Sequence, residues 1–315
     1  MKTILVLLLA LPLMSCSPEE KKQAEIPDVV VEKAAEGRDT VIYEIASFQE
    51  AADLIARLKY TPEDWQAGIR EIPRLTWIKV PERWRTTTSK EIEVKVKKQI
   101  FFRVLAPLTL QCNEEVLENR ERLQSMLKRL PEGINSDEEN WLREMAAAYR
   151  VESEEINQQF FQELLTKVDV IPVSLALAQS AEESGWGTSR FAAEGNALFG
   201  QWAWGKDAMK PKEQREGMGD YGLRKFDTPI ESMGAYIHNL NTHPAYADLR
   251  KRRAELREAG KPITGQELAN TLTKYSERGA EYVETLQSIM RVNHLAQADE
   301  AYLSDGPVIL VVPVE

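Results

Sequence analysis

The chain has 315 residues, of which 43% are hydrophobic and 29% are charged. This length allows one large or two modest domains, each with its own core, and the composition is typical of a soluble globular protein. The 40 basic and 50 acidic residues give a net charge of −10. This balance argues against nucleic acid as a partner, because nucleic-acid binding generally requires a basic face.

The N-terminus predicts a secretion signal that ends in a lipid anchor. A short apolar run at residues 4–11 follows a positive start and is too brief to span a bilayer. Residues 13–16 read Leu-Met-Ser-Cys, which resembles the lipobox of bacterial lipoproteins. The resemblance implies that residues 1–15 are removed and that Cys16 is lipidated. Ser17, where Asp would favour the inner membrane, implies an outer-membrane lipoprotein that faces the periplasm. An ordinary signal peptide that contains a cysteine is the alternative.

Residues 16–39 predict a flexible tether, because this charged stretch contains too little apolar surface to offset the entropy of ordering it. Residues 40–155 predict a helical N-terminal region, for which the sequence identifies neither chemistry nor a protein partner. Its apolar residues recur at steps of three and four, which is helical spacing. Pro107 is expected to kink or end the longest helix. Helices are expected over residues 40–60, 89–129, 141–149 and 156–168.

Residues 156–297 predict a second unit, mainly helical with one small β-hairpin. Pro172 opens a helix from Val173 to about Glu183, and the glycines at 185 and 187 end it. Further helices are expected over residues 230–240, 265–275 and 281–295, and short strands over 198–204 and 221–226. Residues 298–315 form a C-terminal tail whose apolar run, at 308–312, favours a β-strand.

The residues around Glu183 carry the chemistry that the sequence indicates most clearly. A glutamate at the end of an apolar helix can be half-buried, and burial raises the pKa of a carboxyl group. A raised pKa is what a general acid needs in order to cleave a glycosidic bond. The glycines that follow leave room for a polymer, and Trp186 offers a flat face for a sugar ring. By itself, however, a glutamate at a helix end is most often a solvated surface residue.

Four sequence blocks, in order over about 120 residues, resemble a known family. Residues 183–187 read Glu-Ser-Gly-Trp-Gly, and residues 195–200 read Gly-Asn-Ala-Leu-Phe-Gly. Residues 223–228 lead from an apolar strand into a helix start, and a Leu-Ala pair and two tyrosines follow at 268–282. These blocks resemble the glucosaminidase family of peptidoglycan hydrolases, which includes flagellar wall-cutting enzymes and Gram-positive autolysins. Within that group the chain is similar to the bacterial Bax family over residues 70–296.

The resemblance implies a mainly α, lysozyme-like glucosaminidase domain with a small β-hairpin lobe. The implied activity is that of an endo-β-N-acetylglucosaminidase, which cleaves the β-1,4 bond after N-acetylglucosamine in peptidoglycan glycan strands and needs no cofactor. Glu183 carries over as the general acid and Tyr275 as the active-site tyrosine. Glu213 is the candidate for the second catalytic group, with Glu216 and Asp220 as alternatives. A base on the lobe would give inversion, whereas assistance by the acetamido group of the substrate would give retention.

Six further residues are candidates for contact with substrate. They are Ser184, Trp186, Asn196, Phe199, Trp202 and Tyr282. The aromatic members could stack on sugar rings, although buried aromatic residues are commonly part of a core. Tyr282 could equally have a structural role, and Glu182 is expected to face solvent.

Other titratable residues indicate structure rather than chemistry. The three histidines, at 238, 243 and 294, lack a recognised metal-ligand spacing, so no metal site is expected. Cys112 is expected to be a small buried hydrophobic residue. The basic run at 251–253, flanked by acids, predicts a solvated helix face.

Three other functions remain open at this point. A lytic transglycosylase uses a related fold and also has a glutamate followed by serine. An endoglycosidase that acts on N-glycans shares the family label. A wall-binding scaffold lipoprotein could keep the fold without the activity.

Overall fold

The structure, a computed structural model, describes residues 38–205, 208–211 and 221–314. The chain is mainly helical, with few and short strands in the part described, as the sequence predicts. Its first half contains β1 (Thr40–Ile45), α1 (Phe48–Arg57), α2 (Pro62–Gln66), β2 (Glu71–Ile72), β3 (Leu75–Trp77), a π-helix (Trp84–Thr88), α3 (Ser89–Glu91), α4 (Val94–Arg129), a 3-10 helix (Leu130–Glu132) and α5 (Ser136–Ala148).

The second half begins with α6 (Gln158–Lys167), α7 (Val173–Ser184) and α8 (Arg190–Gly195). The predicted hairpin follows as antiparallel β4 (Trp202–Trp204) and β5 (Tyr221–Leu223). The remaining elements are α9 (Pro229–Thr242), a 3-10 turn (Pro244–Tyr246), α10 (Ala247–Glu258), α11 (Gly265–Ala269), α12 (Ala280–Val292), a 3-10 helix (Leu295–Glu300), β6 (Tyr302–Leu303) and β7 (Val308–Pro313). The helix expected over 265–275 therefore ends early, at Ala269. Among the described residues, no helix is both long and apolar enough to cross a membrane.

The C-terminal tail forms the centre of a parallel sheet with strand order β1-β7-β3. Strand β7 pairs with β1 from Thr40 opposite Val308 onwards, and with β3 from Leu75 opposite Ile309. Every residue of β7 is buried. The helix expected to begin at residue 40 was wrong for its first six residues, which form β1, and the N-terminal region is not purely helical. The spacing of three between Ile42, Ile45 and Phe48 looks helical only because a strand is followed closely by a helix.

Helix α4 is one uninterrupted 36-residue helix that contains Pro107, so a helix boundary at this proline was wrong. Pro107 and Cys112 are both buried in the core. One face of α4 packs against α7 and α9, and the amide of its Asn113 exchanges two hydrogen bonds with the backbone of Ile171, at 2.8 and 3.1 Å. Helix α4 thereby fixes the position from which α7 starts.

One hydrophobic core joins the N-terminal region to the helices of the second half. It runs without interruption from Ile55 and Tyr60 through α4 to Leu177 on α7 and Leu286 on α12. Residues 40–155 therefore pack as part of the same body that contains α7. The domain boundaries expected at 155 and 297 stay a prediction.

A buried charge cluster corrects the interpretation of the basic run at 251–253 for one residue, Arg253, whereas Lys251 is exposed as expected. Arg253 is fully buried, and its guanidinium donates to the carbonyls of Asp169 and Val170 and to the side chain of Asn241. Burial lowers the pKa of Arg253 to about 10, so it remains charged at neutral pH. The Asp169 carboxylate accepts from Arg257 and lies 3.8 Å from Arg253. The buried carboxylate of Asp169, between α6 and α7, neutralises the positive charge on this face of α10. Charge patterning along the sequence does not reveal this long-range pairing.

Candidate active site

Helix α7 carries Glu183 to its C-terminal end. Nearly every residue of α7 is buried, because its sequence is apolar or small on all sides. Pro172 stands at the N-cap and offers no side-chain cap. The carboxylate of Asp299 replaces that cap by accepting from the backbone and the hydroxyl of Ser174, at 2.8 and 2.7 Å. The helix is thus anchored at its start and surrounded by core along its length.

The loop after Glu183 has an unusual backbone. Gly185, Trp186 and Gly187 all have positive φ, of 57°, 63° and 73°. Glycine adopts this region at little cost, but it is rare for a bulky residue such as tryptophan, so the loop must be held by its surroundings. The backbone N–H of Trp186 donates to Ala181 O at 3.0 Å. The indole Nε1 of Trp84 donates to Trp186 O at 3.0 Å.

Ser184 has a role other than the substrate contact expected for it. It is 1% exposed, and its hydroxyl donates to Ser180 O at 2.6 Å and accepts from the Gly187 N–H at 2.8 Å. Both hydrogen-bonding functions are therefore used inside the loop. Substrate contact by Ser184 was wrong for this reason, and the residue instead fixes the turn that follows Glu183.

The Glu183 carboxylate is half-buried at the end of α7. Its Oε1 accepts a hydrogen bond from the hydroxyl of Tyr282 at 2.8 Å. Its Oε2 faces Gly200, where an added Cβ would lie 3.7 Å away. Burial raises the pKa of Glu183; the bond from Tyr282 opposes this rise, and the negative charge of Glu182 adds to it. Since burial is the largest influence, Glu183 has the raised pKa that the sequence predicts.

A chain of buried hydrogen bonds supports Glu183 from behind. The Tyr236 hydroxyl donates to Gln179 Oε1 at 2.7 Å, and Gln179 Nε2 donates to the Tyr282 hydroxyl at 3.0 Å. With its oxygen occupied by this amide, Tyr282 can direct its own proton only to Glu183. Sequence reasoning missed Tyr236 and Gln179. The available signal was Gln179 itself, a polar residue one helical turn before Glu183 in an otherwise apolar helix.

Tyr275 lies next to this chain without joining it. Its ring stacks in parallel on Tyr282, with centroids 5.4 Å apart and an interplanar angle of 3°. Burial raises the pKa of Tyr275 well above its usual value, with Tyr282 and Glu183 adding to the effect. Tyr275 is therefore a neutral phenol that can donate a hydrogen bond near Glu183. Its catalytic role stays a prediction.

Two more of the expected substrate contacts belong to the core. Phe199 is 1% exposed and stacks on Tyr236 with centroids 3.8 Å apart. Asn196 is buried, with its side chain bonded to the carbonyls of Phe226 and Asp227 and to the N–H of Val80. These two residues hold the segment that brings Gly200 to Glu183, and substrate contact by their side chains was wrong because neither side chain is accessible.

The tryptophans differ in how far they are exposed. Trp186 is half-buried, with its ring edge-on to Phe102 and the Lys98 ammonium 4.8 Å from its centroid. Trp202 is 47% exposed and Trp204 is 68% exposed, both on strand β4. An exposed indole on the hairpin suits stacking on a sugar, so Trp202 remains a candidate and Trp204, which sequence reasoning missed, joins it.

Glu182 and Glu183 have different surroundings although they are adjacent. Glu182 Oε1 accepts from Arg278 at 2.6 Å, so Glu182 is paired as well as solvated. Arg278 also contacts Glu281 and Thr285 on α12. This pairing ties the segment after Tyr275 to α7 and holds the Glu182 carboxylate at Arg278, whereas Oε2 of Glu183 faces Gly200.

Some of the expected site residues lie outside the described residues. They are Cys16, Glu213, Glu216 and Asp220. Within residues 38–205, 208–211 and 221–314, no three histidine, cysteine or acidic side chains are grouped so that they could hold a metal ion.

Comparison with known proteins agrees with this geometry. The profile of the glucosaminidase family, described as mannosyl-glycoprotein endo-beta-N-acetylglucosaminidase, matches residues 158–295. Protein Bax of Escherichia coli strain K12 is 33% identical over 198 residues, which cover 62% of this chain and 70% of that protein. Among solved structures, the catalytic domain of the autolysin Auto from Listeria monocytogenes is 24% identical. The match covers 52% of this chain and 98% of the autolysin domain, and its TM-score of 0.33 is too low to compare the two folds.

The profile match contains α7, the loop of residues 185–187, the hairpin and α12. These are the elements that surround the half-buried Glu183. The alignment with Bax extends over two thirds of that protein at an identity that indicates common descent. This chain therefore belongs to the Bax-like family of proteins that carry a glucosaminidase domain.

Proposed function

We propose that the chain is a peptidoglycan hydrolase that cleaves the β-1,4 bond after N-acetylglucosamine, with Glu183 as the general acid. The observation that supports this most directly is the Glu183 carboxyl group, half-buried with a raised pKa and with one oxygen facing Gly200. A general acid must hold a proton at the operating pH and must present it to the leaving oxygen. Burial favours the protonated form of this carboxyl group, and its Oε2 faces Gly200; these two observations support the assignment.

The hydrogen bond from Tyr282 determines which carboxyl oxygen carries the proton. Oε1 accepts from the Tyr282 hydroxyl, so the acid proton resides on Oε2, the atom on the Gly200 side. After Oε2 gives its proton to the glycosidic oxygen, Glu183 becomes an anion. The bond from Tyr282 then strengthens, because hydrogen bonds to charged acceptors are stronger than those to neutral ones. Tyr282 thus stabilises the product of proton transfer more than the reactant.

The second half of the reaction needs either a base or the substrate itself. We propose Glu213 for the base, with Glu216 and Asp220 as alternatives on the same insert, and substrate assistance as the other route. Tyr275, a neutral donor beside Glu183, would serve the assisted route by positioning the acetamido group. NMR of the first-formed product distinguishes the routes, since a base gives the inverted anomer and assistance gives the retained one.

The test is a digestion of purified peptidoglycan sacculi followed by mass spectrometry of the released muropeptides. We expect reducing N-acetylglucosamine ends, which borohydride converts to glucosaminitol. A 1,6-anhydromuramic end would instead identify a lytic transglycosylase, and release of sugar from an N-glycoprotein but not from sacculi would identify an N-glycan endoglycosidase. If wild type and Glu183→Gln both release muropeptides only at the level of a control without protein, the chain would be a scaffold.

Glu183→Gln and Glu182→Gln form a matched pair for this assay. Each replaces one carboxylate of α7 by an amide, but only Glu183 faces Gly200, whereas Glu182 pairs with Arg278. We expect Glu183→Gln to lower kcat by about 10²- to 10⁴-fold, the usual contribution of a general acid. Glu182→Gln should keep kcat within about threefold of wild type. A reversal of this order would move the acid to position 182 and contradict the proposal.

We further propose that the chain is an outer-membrane lipoprotein that faces the periplasm, anchored through Cys16. Incorporation of labelled palmitate by wild type and its loss in Cys16→Ser would support lipidation. Fractionation of membranes on a sucrose gradient tests the destination, with Ser17→Asp as the variant expected to move to the inner membrane. Equal labelling of wild type and the Cys16→Ser variant, or label in neither, would contradict the anchor.

A further inference from the structure

A cleft of about 820 Å³ lies between α2, the beginning of α4 and the end of α12. Four of its lining side chains are cationic: Arg70, Lys95, Lys98 and Arg103. The ring of Trp65 lines it as well, and the Arg70 guanidinium lies 4.3 Å from that ring. None of these residues belongs to the glucosaminidase match at 158–295. The cations of the cleft therefore come from the N-terminal region, whereas Leu177 and residues 292–295 of the second half line its other side.

The cleft is positive although the chain as a whole carries a charge of −10. No aspartate or glutamate is among its described lining residues. Acids also lie around its rim. They are Glu300, whose carboxylate lies 3.8 Å from Arg70 Nε, Glu63 and Asp64, which act on the pKa of Arg103, and Glu93, which precedes Val94. Arg70 Nε is buried and has no hydrogen-bond partner among the described residues. A buried guanidinium N–H without an acceptor favours an anion with oxygen acceptors.

The beginning of α4 adds to this positive field. Val94 and Lys95 line the cleft and are the first two residues of a 36-residue helix. That helix has no acid in its first turn, and its N-cap, Glu93, makes no capping bond. The unpaired N–H groups and the helix dipole both favour negative charge at this end. The helix end, the cations and Arg70 Nε, which has no hydrogen-bond acceptor among the described residues, thus all favour the same kind of ligand.

The cleft borders the loop that follows Glu183. Lys98 lines the cleft, and its ammonium also lies 4.8 Å from the ring of Trp186. Leu177 of α7 lines the cleft too, and it precedes Glu183 by six residues, roughly 9 Å along the helix. An extended peptide of about four residues spans roughly 13 Å. A peptide attached to a sugar near Glu183 can therefore reach the cations.

We propose that this cleft binds the carboxylates of the acidic stem peptide carried by the glycan strand that the Glu183 site cleaves. The inference rests on the proposed function and specifies its substrate: peptide-bearing peptidoglycan rather than bare glycan. Carboxylates supply the oxygen acceptors that Arg70, Lys95 and the α4 amides require. The aromatic rings of Trp65 and Phe102 accommodate the aliphatic parts of such a peptide.

The experiment measures binding separately from cleavage. Full-length protein carrying Glu183→Gln is titrated calorimetrically with a defined glycan that bears stem peptides, and with the same glycan after an amidase has removed them. We expect the peptide-bearing glycan to bind roughly tenfold more tightly, an advantage that should fall as salt rises. Equal affinities for the two glycans would overturn the proposal.

Lys95→Glu and Lys128→Glu are the matched variants, each made in the Glu183→Gln protein. Both lysines are exposed on α4 and change the net charge equally, but only Lys95 lines the cleft. We expect Lys95→Glu to weaken binding of the peptide-bearing glycan about five- to tenfold and to leave binding of the bare glycan unchanged. Equal effects of the two variants would overturn the proposal.

Two further outcomes identify other ligands or separate this inference from the proposed function. Binding to vesicles of phosphatidylglycerol, lost in Lys95→Glu, together with no preference for the peptide, would overturn the proposal in favour of an anionic membrane surface. If wild type releases no muropeptides but Glu183→Gln protein still prefers peptide-bearing glycan, the hydrolase proposal fails and the cleft inference holds. Cleavage of both glycans with equal binding would leave the hydrolase intact and overturn the cleft inference.

Discussion

Replacing Tyr282 with phenylalanine tests whether the hydrogen bond from Tyr282 sets the acidity of Glu183. The change removes the donor that lies 2.8 Å from Glu183 Oε1 and leaves the ring in place. Because that bond favours the ionised carboxylate and so lowers its pKa, its loss should raise the pKa of Glu183 further. The basic limb of the pH profile of kcat/KM reports the general acid of the free enzyme. We therefore expect this limb to move to higher pH.

The same change should lower kcat at the pH optimum. A hydrogen bond to a charged acceptor contributes about 1.5–3 kcal/mol, and one to a neutral acceptor about 1 kcal/mol. Tyr282 bonds a neutral acid before proton transfer and an anion afterwards, so its loss should cost the transition state on the order of 1.4 kcal/mol. This corresponds to about a tenfold fall in kcat. The assay is release of muropeptides from sacculi across a range of pH.

Tyr236→Phe is the control for this prediction. It removes the hydrogen bond of 2.7 Å to Gln179 and makes no contact with Glu183. Tyr236→Phe loses one buried hydrogen bond, so thermal melting should show a loss of stability of about 1–3 kcal/mol. Tyr282→Phe loses its bonds to both Gln179 and Glu183 and should lose more. Only Tyr282→Phe should move the basic limb. If the limb stays in place in Tyr282→Phe, or if both variants lose activity in proportion to stability, the hydrogen-bond account of Glu183 is refuted.

Three other predictions concern stability and are checked by unfolding. Because burial raises the folded-state pKa of Glu183, the ionised form destabilises the fold above that pKa; Glu183→Gln should therefore raise stability at pH 8 by about 1 kcal/mol, and melting curves should show the gain disappearing below the ordinary carboxyl pKa. Ser184→Ala breaks both hydroxyl bonds of the loop and should cost about 1–3 kcal/mol in urea and also lower kcat, whereas Ser180→Ala, bonded only within α7, should leave kcat near wild type. Leu310→Ala in the buried central strand should cost about 2–5 kcal/mol, and Ile42→Ala, its exposed neighbour on β1, should cost little; equal losses would contradict the central position of β7.

The sequence predicts the elements of this fold well where the signal is local. Helix α7 begins after Pro172 and ends at Gly185, as the proline and glycine indicate. Helix α9 lies where the pattern places it, and the two hairpin strands lie within the predicted ranges of 198–204 and 221–226, although both are shorter. These elements are encoded by residues within a few positions of one another, so a single sequence is enough to find them.

Long-range pairing accounts for what the sequence does not reveal. Strand β1 is mostly exposed, so only Tyr43 and Ile45 show the alternation of a strand, and this is too little to distinguish β1 from the first turn of a helix. Its partner strand β7 is distant in sequence, because Val308, which pairs with Thr40, lies 268 residues later. The burial of Arg253 likewise depends on Asp169, which is 84 residues away. Neither partner can be chosen by local rules.

The residues of the candidate site also fall into two groups, those that the sequence identifies and those whose role only the structure shows. Glu183 and the glycines after it could be found by motif, since the chemistry of an acid at a helix end is local. The roles of Ser184, Asn196 and Phe199 could not, because a motif does not distinguish a residue that contacts substrate from one that supports it. Burial makes that distinction, because the exposed fraction of these three residues is 1%, 8% and 1%. Trp202 on strand β4 is 47% exposed, so by the same criterion it remains a candidate for contact with substrate.

The N-terminal region supports the loop of residues 185–187 that follows Glu183. Trp186 in the left-handed region costs roughly 1–2 kcal/mol, which the loop alone cannot recover. Two contacts from outside offset that cost: the Trp84 indole bonds Trp186 O, and Phe101 lies so close to Gly187 that a Cβ there would be 3.4 Å from its ring. Both Trp84 and Phe101 precede residue 155. The conformation of the loop after Glu183 is therefore held from the N-terminal half, and the same half supplies the cations of the cleft beside Trp186. If the two proposals above hold, substrate selection and acid placement both depend on this one packed body.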